Sequence, residues 1–125
     1  MSVAAAQAEA FYREFLADDV VFTVRDEGGY PAPLNGNGQR AQPFWSKRSR
    51  AQRIVDTVPD YAVFEVVEID GKRWCERWLP GLEKDGIHVG LNWSGERATG
   101  YDLPPADVLR NLAARSPSRD ADDVR

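Results

Sequence analysis

Residues 43–58 constrain the fold most, because their apolar period switches from strand-like to helical with no turn between. Phe44 and Trp45 suit a pleated, buried surface. Ser46 is a favoured helix N-cap. Beyond it Ala51, Ile54, Val55 and Val58 fall at i, i+3, i+4 and i+7, one helical face. The pattern predicts a strand over 39–45 that runs into a helix over 46–57, closed before Pro59. Lys47 and Arg48 then sit in the first turn, where the helix dipole disfavours cations by roughly a few tenths of a kcal/mol.

The flanking segments read in turn. Alanines and the stripe Ala8, Phe11, Tyr12, Phe15 and Leu16 predict a helix over 2–17. Glu9 and Arg13 are expected to pair at i,i+4 on its exposed side. Residues 20–25 alternate as a strand. Pro31 and Pro33 confine 30–34 to a sheet edge. Asn35-Gly36-Asn37-Gly38 predicts a turn, so 20–45 reads as a meander. Residues 62–69 are a further strand. Asp70 is placed to cap a helix carrying Trp74, Cys75, Trp78, Leu79 and Leu82, with a kink expected at Pro80. Residues 87–93 alternate and 99–102 return as a strand. Pro104-Pro105 opens a last helix with Val108, Leu109 and Leu112 inward.

These elements predict an α+β fold: a single domain over 1–115, with a mostly antiparallel sheet of about five or six strands packed with about four helices. Residues 116–125 show no apolar period and are expected to be a disordered tail. A chain of 125 residues suits one domain. Its single cysteine excludes an intrachain disulfide framework and fits a cytoplasmic setting. No stretch resembles a signal peptide or approaches the ~18 apolar residues of a membrane span.

A net charge of −4 argues against a dedicated nucleic-acid binder. The charge is uneven, however. Residues 28–55 hold no acid, while Arg40, Lys47, Arg48, Arg50 and Arg53 are all cationic. With Trp45, the last four of these form a candidate binding element for an acidic protein or an anionic small molecule. Arg48 and Arg53 are expected to point outward, with Lys47 and Arg50 nearer the flanks. A nucleic-acid accessory role is the weaker version. The plainer reading is a solvated helix face answered by acids elsewhere.

A second candidate lies on the strand over 87–93. His88 and Asn92 share a face with Gly90 between them, a pattern that predicts a shallow polar hollow, lined further by Thr99 and Tyr101. Such a hollow would suit a small-molecule enzyme or sensor with His88 as base. The plainer reading is a covered sheet face. No nucleophile stands at a motif spacing, so no catalytic residue is assigned. One His and one Cys predict no metal or cofactor site. Cys75, inside an apolar stripe, is expected to be a buried hydrophobe.

Five stretches together resemble a bacterial family, the domain of unknown function 2750. They are Gly28-Gly29-Tyr30-Pro31-Ala32-Pro33, Pro43-Phe44-Trp45-Ser46, Arg50-Ala51-Gln52, Trp78-Leu79-Pro80-Gly81-Leu82 and Val89-Gly90-Leu91-Asn92-Trp93-Ser94-Gly95. They span roughly residues 11–112. The resemblance implies a small cytoplasmic α+β domain. It brings no assigned activity, so no site residue carries over.

Overall fold

The computed structural model describes residues 1–116. Helix α1 (Val3–Asp18) starts on Ser2, whose hydroxyl accepts from the Ala5 N–H. Asp19 turns the chain with a left-handed φ of 54° into strand β1 (Val20–Arg25). Strand β2 (Ala41–Phe44) and helix α2 (Arg48–Thr57) follow, then β3 (Glu65–Asp70). A continuous helical rod comes next: α3 (Gly71–Arg73), a π-helical turn over Trp74–Trp78, and α4 (Leu79–Asp85). Strands β4 (His88–Leu91) and β5 (Asp102–Leu103) and helix α5 (Pro105–Ala114) complete the domain.

Among the described residues the fold is α+β with four helical rods, as expected, but the sheet is divided. Five strands there form two small sheets, β1–β3 and β2–β4–β5. The β1/β3 and β4/β5 ladders are antiparallel, whereas β2/β4 is parallel. The sheets meet at one antiparallel bridge, Phe22 with Trp45, whose two N–H···O bonds measure 2.8 and 2.7 Å. Pro43 explains the division. It has no N–H to offer β1, and its carbonyl instead accepts the Thr23 hydroxyl at 2.8 Å. Similar chemistry undoes the meander. Around Pro31 and Pro33, residues 30–34 contribute one bridge, Leu34 with Arg40. Strand β2 takes β4 as its ladder partner.

The kink expected at Pro80 is absorbed one residue earlier. The Leu79 N–H reaches back five residues to the Trp74 carbonyl, so the helix widens just before the residue that lacks a donor. Asp70 caps the rod, its side chain accepting from the Arg73 N–H.

Strand β1 separates two cores. Val21 joins Phe11, Phe15, Phe44, Trp74 and Leu79 under α1, the rod and α5. Phe22 and Val24 join Trp45, Ala51, Ile54 and Tyr61 under α2. The strand therefore alternates as expected, but both of its faces are covered. Three side-chain expectations fail. Leu16 and Leu109 lie at the surface, 38% and 36% exposed. Glu9 pairs with Arg115 at 2.6 Å, not with Arg13. The expected tail lies, from residue 117 onward, outside the described residues. Among those described, no helix is long and apolar enough to cross a membrane.

Candidate functional site

The join between β2 and α2 is built differently from its sequence reading. Lys47, not Ser46, is the N-cap of α2, and it makes no side-chain cap. Ser46 is fully buried. Its hydroxyl donates to Glu14 Oε1 at 2.6 Å and accepts from Asn92 Nδ2 at 2.9 Å, while its N–H donates to Asn92 Oδ1 at 2.9 Å. A half-buried carboxylate and a buried amide outcompete the helix terminus for the Ser46 side chain. Asn92 also donates to the Gln7 carbonyl at 3.2 Å, so its amide ties α1 and the β2–α2 join to the end of β4.

Arg50 closes this network. Its guanidinium grips Glu14 with two bonds, Nε to Oε1 and Nη2 to Oε2, both 2.9 Å. Its third nitrogen, Nη1, donates to Gln7 Oε1 at 2.8 Å. The Arg50 hydrogen bond, aided by Ser46 and opposed by burial, holds the Glu14 carboxyl below its ordinary pKa.

The other α2-terminal cations are also met by acids distant in sequence. Lys47 pairs with Asp18 at 2.6 Å and Arg48 with Glu68 at 3.1 Å. Arg48 further lies 5.1 Å over the Phe22 ring. These pairs offset the unfavourable dipole at the helix start. Arg53 differs: it is exposed and has no ion pair among the described residues.

A cleft of about 620 Å³ opens beside α2. Ser49, Arg50, Arg53, Ile54 and Thr57 form one wall. Their spacing of i, i+1, i+4, i+5 and i+8 is a single helical face. Asn92, Trp93, Ser94, Gly95 and Glu96 form the other. Trp45 lies at the base, fully buried, its indole N–H donating to the Trp93 carbonyl at 2.8 Å. The cleft thus gathers Trp45, Arg50, Arg53 and Asn92. Lys47, Arg48 and His88 do not line it.

His88 and Asn92 do not share a hollow. Asn92 takes a left-handed φ of 50°, which breaks the alternation and carries Trp93 into the α2 core. The Trp93 ring then covers Gly90, where a methyl group would lie 2.4 Å from Cε2. His88 meets Asp102 instead, Nδ1 to Oδ1 at 2.8 Å. Asn35 Nδ2 donates to the same carboxylate at 3.4 and 3.2 Å. Asp102 in turn borders a second cleft, of about 660 Å³, with Tyr61, Phe64 and Trp93. Thr99 lines that cleft as well, whereas Tyr101 stands at the surface, 46% exposed.

Sequence reading did not single out Gln7, Glu14, Glu96 or Asp102. A signal existed for two of them: Gln7, Phe11 and Glu14 fall at i, i+4 and i+7, which puts both polar residues beside the buried stripe of α1. Cys75 is half-buried. Burial first, then Asp19 and Glu76, pushes its thiol pKa up, an environment opposite to that of an activated cysteine. Among the described residues no three His, Cys, Asp or Glu side chains group as metal ligands.

The family model for a protein of unknown function, DUF2750, matches residues 8–112. The match covers most of the chain, which belongs to this family. A comparison with curated proteins found no match.

Proposed function

We propose that this member of the DUF2750 family is a non-enzymatic binding module whose cleft beside α2 takes a small anionic ligand. One observation carries the reading. Arg53 lines that cleft as a cation without an acidic partner among the described residues, while Arg50 beside it is fixed by Glu14 and Gln7. An anion entering the cleft would meet one committed guanidinium and one available one. The single cysteine fits a reducing, cytoplasmic setting for such a protein.

Calorimetric titration with acetate and with inorganic phosphate tests this, at low and high salt. Arg53→Gln should weaken binding, and salt should weaken it too, over a Debye length of about 8 Å at physiological ionic strength. Arg48→Gln should not, because Arg48 is spent on Glu68 and Phe22. Equal affinity for Arg53→Gln and wild type, or no binding of either anion, would remove the reading.

A small-molecule enzyme or sensor is the second reading, and it has one observation of its own. Asp102 orients the His88 imidazole through Nδ1, the arrangement that readies the other nitrogen as a proton acceptor. Loss of a turnover in His88→Ala, with folding intact, would favour it over the binding module.

A further inference from the structure

We infer that the ligand of the cleft beside α2 is a zwitterion: a free α-amino acid. This rests on the anion-binding reading above and adds the ligand's second charge. Among the described residues three titratable side chains line the cleft: Arg50, Arg53 and Glu96. Arg50 is neutralised by Glu14. Arg53 and Glu96 remain, on opposite walls, one carried by α2 and the other by the turn after Trp93. Neither has an ion-pair partner among the described residues, and they do not pair with each other.

A simple anion would satisfy Arg53 and be repelled by Glu96. A simple cation would meet the reverse. A molecule carrying both charges on one carbon satisfies both walls at once. The carboxylate goes to Arg53 and the ammonium group to Glu96. The Ser94–Gly95 segment, with Gly95 at a φ of 85°, turns the chain so that Glu96 stands on the cleft rim.

The test compares phenylalanine with 3-phenylpropanoate, which keeps the ring and carboxylate but lacks the ammonium group. Affinities are measured by calorimetry for wild type, Glu96→Gln and Arg53→Gln. Both side chains are exposed, so both variants keep the fold. Phenylalanine should bind wild type about fivefold tighter than 3-phenylpropanoate, near the upper end of what a solvent-exposed ion pair gives. Glu96→Gln should abolish that preference, by weakening phenylalanine and, with the repulsion gone, tightening 3-phenylpropanoate. Arg53→Gln should weaken both. If 3-phenylpropanoate binds as tightly as phenylalanine, or if Glu96→Gln leaves the preference intact, the zwitterion proposal falls. An Arg53-dependent affinity for 3-phenylpropanoate would then leave the anion reading standing. If neither compound binds, the zwitterion proposal falls, and the anion reading is decided by acetate and inorganic phosphate.

Discussion

Gly90→Ala probes the contact that separates the sequence reading of β4 from its structure. In an ordinary strand this change stabilises a protein by about 0.4–1 kcal/mol, because alanine has less freedom to lose. Here the new methyl would stand 2.4, 2.5 and 2.7 Å from Cε2, Cζ2 and Nε1 of Trp93. The indole cannot swing away freely. It is 7% exposed, packed in the α2 core, and its Nε1 donates to the Tyr101 carbonyl at 3.0 Å. Overpacking of a fixed neighbour costs about 1–3 kcal/mol, enough to reverse the usual sign. Urea unfolding of Gly90→Ala should show a lower midpoint with an unchanged slope. Trp93→Leu removes the ring above Gly90. In that background Gly90→Ala should be neutral or mildly stabilising, a coupling of about 1–3 kcal/mol between two touching residues. Equal destabilisation in both backgrounds would refute the packing argument and place the cost in the strand itself.

Two further outcomes follow from the polar network at the β2–α2 join. Asn92→Ala should destabilise by about 2–4 kcal/mol, because it strands the buried Ser46 N–H and puts a methyl-bearing residue at a left-handed φ. Asn92→Gly, which tolerates that φ, should recover only the backbone part, measured by the same urea titration. For Glu14, a carboxyl held below its unfolded value stabilises the fold above the ordinary carboxylate range and loses that contribution as pH falls through the lower folded value. Melting temperature followed from neutral to acid pH should therefore fall less steeply on the acid side in Glu14→Gln than in wild type. Parallel curves would show that Arg50 and Ser46 do not hold the charge.

Local chemistry made much of this fold legible. The Asp70 cap was read from one residue and needed no tertiary knowledge; Ser2, read as the first helical residue, is the cap of α1, and Gly86 ends α4 in the left-handed conformation. The helical face of α2 was equally clear, and its inward residues Ala51 and Ile54 are buried. What failed to show was pairing across long sequence distances. The acids that answer Lys47, Arg48 and Arg50 come from positions 18, 68 and 14, on α1 and β3. No spacing rule links those numbers. The parallel β2/β4 ladder joins residues 41–44 to 88–91, again beyond any local signal. Pro43, by contrast, was visible. A residue with no backbone donor stood inside the strand expected over 39–45, and its carbonyl takes the Thr23 hydroxyl where the sheet divides.

The candidate site depends on one further local event that periodicity hides. Alternation puts Trp93 on the same face as Val89 and Leu91, under α1 and the rod. The left-handed backbone at Asn92 sends it to the opposite core. Had the alternation continued, Gly90 would be open and Trp45 would lack the carbonyl its indole now reaches. The same side chain borders both clefts, with Arg53 and Glu96 on one side and Asp102 on the other. A ligand pressing on the Trp93 ring from the α2 side therefore touches a wall of the aromatic cleft as well. The ring is pinned by Gly90 beneath it and by Tyr101 at its N–H, so any shift in it has to be shared with β4 and the strand that returns beside it.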